Sequence, residues 1–176
     1  MFSNSYGTFI EGTKIMPCKA FLNNSKWQNY LDPSERFKLL DLVNDLGSKG
    51  IKINTIIDLN RSFDYYCFDE VKRECPLLAE TNYIKFKLEN AAVPADEVVD
   101  DVFECLLSAQ EKNEVVVIHC FNGINRTGYI VANFLCKYFN IDGDEAVRRF
   151  EKARNHKIKH GCMTEKLRKK FPVKNL

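Results

Sequence analysis

The chain has 176 residues and a formal net charge of only +2, with 45% apolar residues, which suits one domain with a sizeable core. It has no apolar run long enough to span a bilayer and no segment with the order of a signal peptide, so we expect an intracellular protein of the nucleus or cytoplasm with no membrane partner. The seven cysteines include no Cys-x-x-Cys pair, which favours reduced thiols over a secreted disulfide framework.

Helical and strand patterns alternate along the chain. In chain order we predict a short strand with a turn (8–21), a helix (32–46), a strand (52–59), a short helix (69–74), a strand (83–88), a helix (97–109), a strand (115–118) and three helices (129–139, 142–153 and 163–171). This alternation predicts an α/β fold with a central, mainly parallel sheet flanked by helices. We expect residues 1–176 to form this single domain, residues 1–7 to be a loose N-terminus, and Trp27 and Tyr30 to pack in the core or in a lid.

Polar residues mark the expected starts of three helices. Asp32-Pro33-Ser34 is expected to open the first helix, and Asp96 to cap the helix that follows it. Asp142 with Glu145 resembles a capping box at the start of a later helix.

The stretch around Cys120 has a pattern with chemical meaning. Four β-branched residues, 115–118, predict a strand buried on both faces, and a helical pattern begins at Tyr129. Between them lie Cys120, five further residues and Arg126. The loop therefore lies at the N-terminus of a helix, where unpaired N–H groups and the helix dipole favour an anion. The same features stabilise a thiolate over a thiol.

Each residue type in this loop has a chemical use. Cys120 can act as a nucleophile, and the planar guanidinium of Arg126 can bind two phosphoryl oxygens at once. Thr127 can place a hydroxyl near the sulfur, and Gly123 lets the backbone pass close to a ligand. We therefore predict phosphoryl transfer through a covalent cysteinyl-phosphate. The predicted phosphate-binding residues are Phe121, Asn122, Gly123, Ile124, Asn125, Arg126 and Thr127.

A basic segment follows, since residues 148–170 contain ten Lys or Arg and two acids. If its central loop lies near the cysteine, it would suit a substrate with several phosphates or a nucleic-acid backbone, although any one charge could simply be a solvated surface charge. The residues of this predicted RNA-binding rim are Arg61, Arg154, Lys157 and Lys159.

Metal ligation has a weak candidate. His156, His160 and Cys162 have the best spacing, but a polar, basic loop is the simpler interpretation. We therefore predict no metal and no cofactor. The chain also lacks the Gly-Lys-Ser/Thr loop of P-loop nucleotide hydrolases.

His119-Cys120, five residues and then Arg126-Thr127 resemble the signature of cysteine-dependent protein tyrosine and dual-specificity phosphatases. Within that superfamily, the chain from about Ile10 to Phe171 is most similar to the RNA 5′-triphosphatase domain of animal mRNA capping enzymes and to stand-alone relatives such as the baculoviral phosphatase. The segments that carry this resemblance are Ile57-Asp58-Leu59-Asn60, Tyr83-Ile84-Lys85, Gly123-Ile124-Asn125-Arg126-Thr127-Gly128-Tyr129 and Arg149-Phe150-Glu151-Lys152-Ala153-Arg154.

The resemblance implies a dual-specificity-phosphatase-like fold and metal-independent removal of the γ-phosphate, in some members also the β-phosphate, from triphosphate-ended RNA. It implies that Cys120 and Arg126 are catalytic and that Asp58 contributes to activity. The implied partner is the 5′ end of RNA in mRNA capping. A guanylyltransferase would be a separate protein, because the Lys-x-Asp-Gly motif of that enzyme is absent. We expect a monomer.

The chain departs from the resembling family at Phe121-Asn122, where the family usually has Thr-His. A dual-specificity protein phosphatase is therefore the alternative function. A non-catalytic phosphate-binding or RNA-binding module is a further alternative, which Cys120 and Arg126 argue against because a binder needs no thiolate.

Protein phosphatases of this superfamily take a proton from an aspartate in a loop well before the cysteine. In this chain that neighbourhood, residues 88–92, has Glu89 as its carboxyl group, and Asp96 lies further along. We expect no dedicated general acid, because a diphosphate leaving group needs less protonation than a phenolate.

Overall fold

A parallel sheet of four strands forms the centre of the computed structural model, which describes residues 5–23, 31–32, 35–61, 65–89 and 93–173. The strands are β1 (Ile15–Cys18), β2 (Thr55–Asn60), β3 (Asn82–Leu88) and β4 (Val116–His119), in the spatial order β1-β4-β2-β3. The neighbouring strands are paired in parallel, so their carboxyl ends lie along one edge of the sheet. Trp27 and Tyr30, with their predicted packing, lie outside the described residues.

Helices connect the strands and follow the last of them. Those in the described ranges are α1 (Leu39–Ser48), α2 (Phe68–Glu74), a 3₁₀ turn (Pro76–Leu78), α3 (Asp96–Glu111), α4 (Asn125–Phe139), α5 (Gly143–Arg154) and α6 (Gly161–Lys170). None of these described helices combines the length and the apolar content that a membrane span requires.

The side chains of the strands alternate between two apolar layers, as the pleat of a strand requires. Ile57 and Ile118 pack in the layer that contains α3, α4, α5 and α6, and Ile56 and Val117 pack in the layer that contains α1 and α2. A central strand covered on both faces needs a continuous apolar run, which explains the β-branched residues 115–118. The predicted α/β domain with a mainly parallel sheet flanked by helices is confirmed.

One predicted helix cap is present and another is wrong. At the start of α5, Asp142 accepts a hydrogen bond from the backbone N–H of Glu145 at 2.9 Å. Asp96 does not cap α3, since it is the first helical residue and Ala95 takes the N-cap position. The Asp96 carboxylate instead accepts a hydrogen bond from Lys170 at 2.8 Å, so a contact between two helices replaces the expected local one.

The first helix begins later than predicted. α1 starts at Leu39, because Lys38 takes the N-cap position and its backbone N–H donates to the Asp41 carboxylate at 2.8 Å. The predicted opening at residues 32–34 lies partly outside the described residues.

The N-terminal segment is held against the sheet from residue 5 onward. Ser5 is buried, and Tyr6 donates its hydroxyl to Asp45 at 2.7 Å. The N–H of Gly7 donates to the carbonyl oxygen of Pro17 at 2.8 Å. The expected loose N-terminus is therefore wrong for this described part, because it hydrogen-bonds to β1 and to α1.

Candidate active site

The loop between β4 and α4, together with the first turn of α4, is called here the Cys120 loop (residues 120–127). Its path depends on Gly123, whose φ of +63° lies in the left-handed region. A Cβ atom at this position would lie 1.9 Å from the carbonyl oxygen of Cys18, at the end of β1. The loop therefore passes so close to the sheet that only glycine fits there.

Backbone hydrogen bonding in the Cys120 loop is one-sided. The carbonyl oxygens of residues 121–124 all accept: Phe121 from the N–H of Ala20 (2.8 Å), Asn122 and Gly123 from the guanidinium of Arg154 (3.1 Å each), and Ile124 from the N–H of Gly128 (2.9 Å). The N–H groups of the same residues donate no hydrogen bond within the described part of the chain. Unpaired N–H groups at the N-terminus of a helix form a site for an anion.

Three side chains of the loop add chemistry to this anion site. Cys120 is a free thiol that is 3% exposed. Arg126 donates to the carbonyl oxygen of Leu59, near the end of β2, at 3.2 Å, which fixes its guanidinium at the carboxyl edge of the sheet. Thr127 is fully buried, and its hydroxyl has no hydrogen-bond partner among the described residues. The hydroxyl of Thr127 is therefore available for a further hydrogen bond.

The assignment of Arg154 to the predicted RNA-binding rim is wrong. It is the last residue of α5, is only 1% exposed, and uses its guanidinium to hold the carbonyl groups of Asn122 and Gly123. Burial lowers the pKa of Arg154, and interactions with Cys18 and Cys120 act in the opposite direction. Arg154 is therefore a buried cation that supports the Cys120 loop, and it does not lie on a surface that RNA can reach.

The other basic residues of this segment lie beside the Cys120 loop. The side-chain oxygen of Asn125 accepts hydrogen bonds from the backbone N–H groups of Lys159 at 2.7 Å and His160 at 3.2 Å. This ties residues 157–160 to the first turn of α4. Lys157 and Lys159 are exposed there, and their contact with RNA stays a prediction.

The two carboxyl groups considered as general acids are in ion pairs. The exposed Glu89 pairs with Arg61, the remaining residue of the predicted rim. Asp96 lies 2.8 Å from Lys170 and 3.7 Å from Lys166. The hydrogen bond and the charge of Lys170 lower the pKa of Asp96, which keeps it ionised and makes it a poor proton donor.

Asp58 lies at the end of β2 and is 2% exposed. Strand register aligns it with His119 on β4 and with Lys85 on β3, and aligned side chains project from the same face of a sheet. Its carboxylate therefore accepts a hydrogen bond from Lys85 at 3.0 Å and lies 3.7 Å from Nδ1 of His119. Because His119 directly precedes Cys120, the structure gives Asp58 the place of a positioning residue.

Further polar groups complete this buried network. Asp58 also accepts hydrogen bonds from the backbone and side-chain N–H groups of Asn60 at 2.8 and 2.9 Å and from the hydroxyl of Tyr83 at 2.8 Å. Tyr66 places its hydroxyl 2.8 Å from Nε2 of His119. Burial would raise the pKa of Asp58, but its interaction with His119 and these hydrogen bonds lower it overall. Burial lowers the pKa of His119.

Sequence reasoning missed two features of this site. The first is the buried role of Arg154, which was signalled by its position one helical turn after Phe150, on the apolar face of α5. The second is the contact between the rings of Tyr65 and Phe121, with centroids 5.2 Å apart, which no local pattern indicates. Among the described residues, no three His, Cys, Asp or Glu side chains are grouped as metal ligands.

Comparison with known proteins identifies the family. Residues 44–170 match the model of the dual specificity phosphatase catalytic domain. The RNA/RNP complex-1-interacting phosphatase of Mus musculus is 29% identical over 174 residues, which cover 96% of this chain and 52% of that protein. The chain spans about half the length of this and the other mammalian relatives. The tyrosine-protein phosphatase of Autographa californica nuclear polyhedrosis virus is 38% identical over 108 residues, which cover 60% of this chain and 61% of that protein.

Solved structures show the same fold at low identity. PTPMT1 in complex with PI(5)P superposes with a TM-score of 0.68 at 17% identity, covering 93% of this chain and 92% of that one. Cydia pomonella PTP-2 phosphatase superposes with a TM-score of 0.66 at 14% identity, covering 95% and 90%. The family match extends from within α1 to the end of α6 and includes the whole Cys120 loop. The chain therefore belongs to the dual specificity phosphatase family.

Proposed function

We propose that this phosphatase hydrolyses the γ-phosphate of 5′-triphosphate-ended RNA through a cysteinyl-phosphate on Cys120. The observation that carries the proposal is the pairing of the candidate acids, Glu89 with Arg61 and Asp96 with Lys170. When a phosphotyrosine transfers its phosphoryl group, the tyrosine side chain leaves as a phenolate, whose conjugate acid has a pKa of ~10. The terminal phosphate of a diphosphate-ended RNA has a pKa of ~6, so this group can leave without a dedicated proton donor.

The proposed reaction has two displacement steps. First, the Cys120 thiolate bonds to the γ-phosphorus, and the bond from that phosphorus to the bridging β–γ oxygen breaks, which releases diphosphate-ended RNA. The unpaired N–H groups of residues 121–124 and the guanidinium of Arg126 stabilise the charge on the non-bridging oxygens. A water oxygen then bonds to the phosphorus, the sulfur–phosphorus bond breaks, and inorganic phosphate leaves with a proton of the water passing to solvent. A second round on the diphosphate end would remove the β-phosphate.

Two further observations support RNA as the substrate. The mammalian relatives carry the name RNA/RNP complex-1-interacting phosphatase, and the exposed Lys157 and Lys159 add positive charge beside the Cys120 loop. We further propose that the partner is the 5′ end of RNA during mRNA capping, with a separate guanylyltransferase. We also propose that the protein is a monomer and that it acts in the nucleus or cytoplasm.

A dual-specificity protein phosphatase is the second candidate function. It is favoured by the family match and by the viral relative, which is named a tyrosine-protein phosphatase. The two candidates share the Cys120 chemistry and differ in the leaving group.

Phosphate release from triphosphate-ended RNA and from a phosphotyrosine peptide, both in excess chelator, would separate these candidates. We expect kcat/KM for the RNA to exceed that for the peptide by at least about 100-fold, which corresponds to about 2.7 kcal/mol of transition-state stabilisation. A preference for the peptide would overturn the proposal in favour of a protein phosphatase.

A further inference from the structure

The Cys120 loop exposes an aromatic ring next to the nucleophile. Phe121 is 43% exposed, and of the large apolar side chains that are exposed in the described part of the chain, it alone belongs to this loop. Its carbonyl group is fixed by the N–H of Ala20 at 2.8 Å. The backbone that carries the ring is therefore held while the ring itself faces solvent.

A second ring supports Phe121 from within the protein. Tyr65 is only 9% exposed, and its ring lies 5.2 Å from that of Phe121 between centroids, tilted by 41°. Burial raises the pKa of Tyr65, with a smaller opposing effect from Arg126. The two rings thus form an aromatic edge beside Cys120, with one ring buried and the other exposed.

The chemical character of the exposed ring limits what this edge can bind. A phenyl ring has no hydrogen-bonding group, so it cannot distinguish the four bases, but every base offers a face on which it can stack. An enzyme that acts on RNA ends with different first nucleotides needs this kind of contact. We propose that Phe121, supported by Tyr65, stacks against the first nucleobase of the triphosphate-ended RNA, which is an inference that rests on the proposed function.

The position of the ring favours a nucleobase over the ring of a phosphotyrosine. The phenyl group of phosphotyrosine is bonded directly to the transferred phosphoryl group, so it must lie inside the pocket above Cys120. The first base of a triphosphate-ended RNA is separated from the γ-phosphate by two more phosphates and a ribose, so it reaches outward to the rim. The ring of Phe121 lies at the surface, where the longer substrate would bring its base.

Phe121→Leu tests this subsite because it keeps an apolar side chain and removes the aromatic face. The substrates are a triphosphate-ended RNA, the same RNA with an abasic first residue, and inorganic tripolyphosphate. Any disturbance of the Cys120 loop acts on all three, so the ratio of KM values isolates the base. We expect KM for the intact RNA to rise about 5- to 150-fold more than KM for the other two, the range that stacking of one base supports. Phe121→Trp should keep or lower KM for the intact RNA.

Tyr138→Leu is the matched control, since Tyr138 is also an exposed aromatic residue (39%) but lies at the far end of α4. It should leave all three KM values unchanged. Equal increases for the three substrates with Phe121→Leu would mean that the ring only shapes the loop, and a selective loss on a phosphotyrosine peptide would assign the ring to an aryl group. Either result overturns the subsite.

The subsite and the proposed function can fail separately. Binding of the intact and the abasic-ended RNA to Cys120→Ser, with and without Phe121→Leu, measures stacking without turnover. Weaker binding of the intact RNA alone supports the subsite, and no difference overturns it. Turnover of the RNA by the unaltered protein tests the proposed function.

Discussion

The chemistry proposed at Cys120 depends on its sulfur atom, whereas the hydrogen-bond donors around that atom remain when the residue is substituted. Cys120→Ser should lower turnover by at least about 1,000-fold, roughly 4 kcal/mol in the barrier, because the hydroxyl is a far weaker nucleophile than a thiolate. Tungstate, a phosphate mimic, should still bind, since the backbone donors and Arg126 are untouched. Arg126→Lys should also be severe because a point charge cannot replace a planar fork. Turnover by the serine variant within about tenfold of the unaltered protein would disprove covalent catalysis.

At Arg154, a buried cation acts through the backbone of another segment. Arg154→Met would leave the carbonyl groups of Asn122 and Gly123 without this donor, at a cost of about 1–3 kcal/mol for the buried carbonyl group of Gly123. We expect weaker tungstate binding and a lower kcat, with partial recovery in Arg154→Lys. Calorimetry with tungstate measures the loop independently of turnover, and chemical denaturation measures the fold.

Arg148→Met is the control for Arg154, because Arg148 is an exposed arginine on the same helix, α5, and pairs with Glu145. It should change neither tungstate binding nor kcat. If Arg154→Met lowers stability but leaves tungstate affinity unchanged, Arg154 stabilises the core and does not position the loop.

At the level of the strands, register explains why Asp58 matters. Residue 58 is aligned with His119 and Lys85 on the two neighbouring strands, so one carboxylate joins three strand ends. Asp58→Asn should lower the free energy of unfolding at pH 7 by about 2–4 kcal/mol, because it removes the buried charge that pairs with Lys85 and weakens a buried network.

The effect of Asp58→Asn should depend on pH in a defined direction. The pKa of Asp58 is lowered in the folded protein, so its stabilising contribution is complete above the unfolded value of ~3.9 and is lost as the pH falls through the folded pKa. Denaturation at pH 7 and at pH 3 measures this, and the difference between the two proteins should shrink at the lower pH. A difference that is constant across this range would mean that the carboxylate charge contributes nothing.

The elements differ in how far the sequence predicts them. The strand at residues 115–118, the capped start of α5 and the Cys-x5-Arg loop follow from local patterns. The role of Asp96 does not, because its contact with Lys170, 74 residues away, replaces the expected local cap. The start of α1 is set by a local capping contact between Lys38 and Asp41, which the prediction missed. Arg154 resembles a surface cation in sequence, and only its packing under the Cys120 loop shows otherwise. Long-range hydrogen bonds of this kind leave no periodic signal.

The segment between α5 and α6 adds charge to the site without taking part in the reaction. Lys157→Gln with Lys159→Gln should weaken binding of triphosphate-ended RNA and flatten its salt dependence, because fewer counterions are released. Turnover of a small aryl phosphate should change little. The control is the double change Lys52→Gln and Lys112→Gln, which removes two exposed lysines near the amino ends of β2 and β4 and should have no effect. Equal losses on RNA and on the aryl phosphate would show that residues 157–160 have a structural role.

Across the whole molecule, the parallel sheet brings the parts of the site to one edge. Cys120 follows β4, Leu59 and Asp58 lie at the end of β2, Lys85 lies on β3, and the loop packs on the end of β1. Helix α4 then contributes its N-terminus at the same edge, as α/β sheets generally do at ligand sites. The loop after β3 begins at this edge as well, and it is the one in which a general acid would be sought.

The last prediction concerns the two carboxyl groups in and just after that loop, and it tests whether either of them donates a proton to the leaving group. Glu89 is exposed and paired with Arg61, and Asp96 is held by Lys170. If neither group donates a proton, Glu89→Gln and Asp96→Asn should each lower triphosphatase turnover by less than about tenfold, or about 1.4 kcal/mol. Steady-state kinetics on triphosphate-ended RNA and on a phosphotyrosine peptide, compared over pH, would measure this. A loss of turnover of about 100-fold with either variant, larger on the peptide than on RNA, would identify a general acid. The reason is that only the phenolate leaving group, whose conjugate acid has a pKa of ~10, needs to be protonated. The preferred function would then be that of a protein phosphatase.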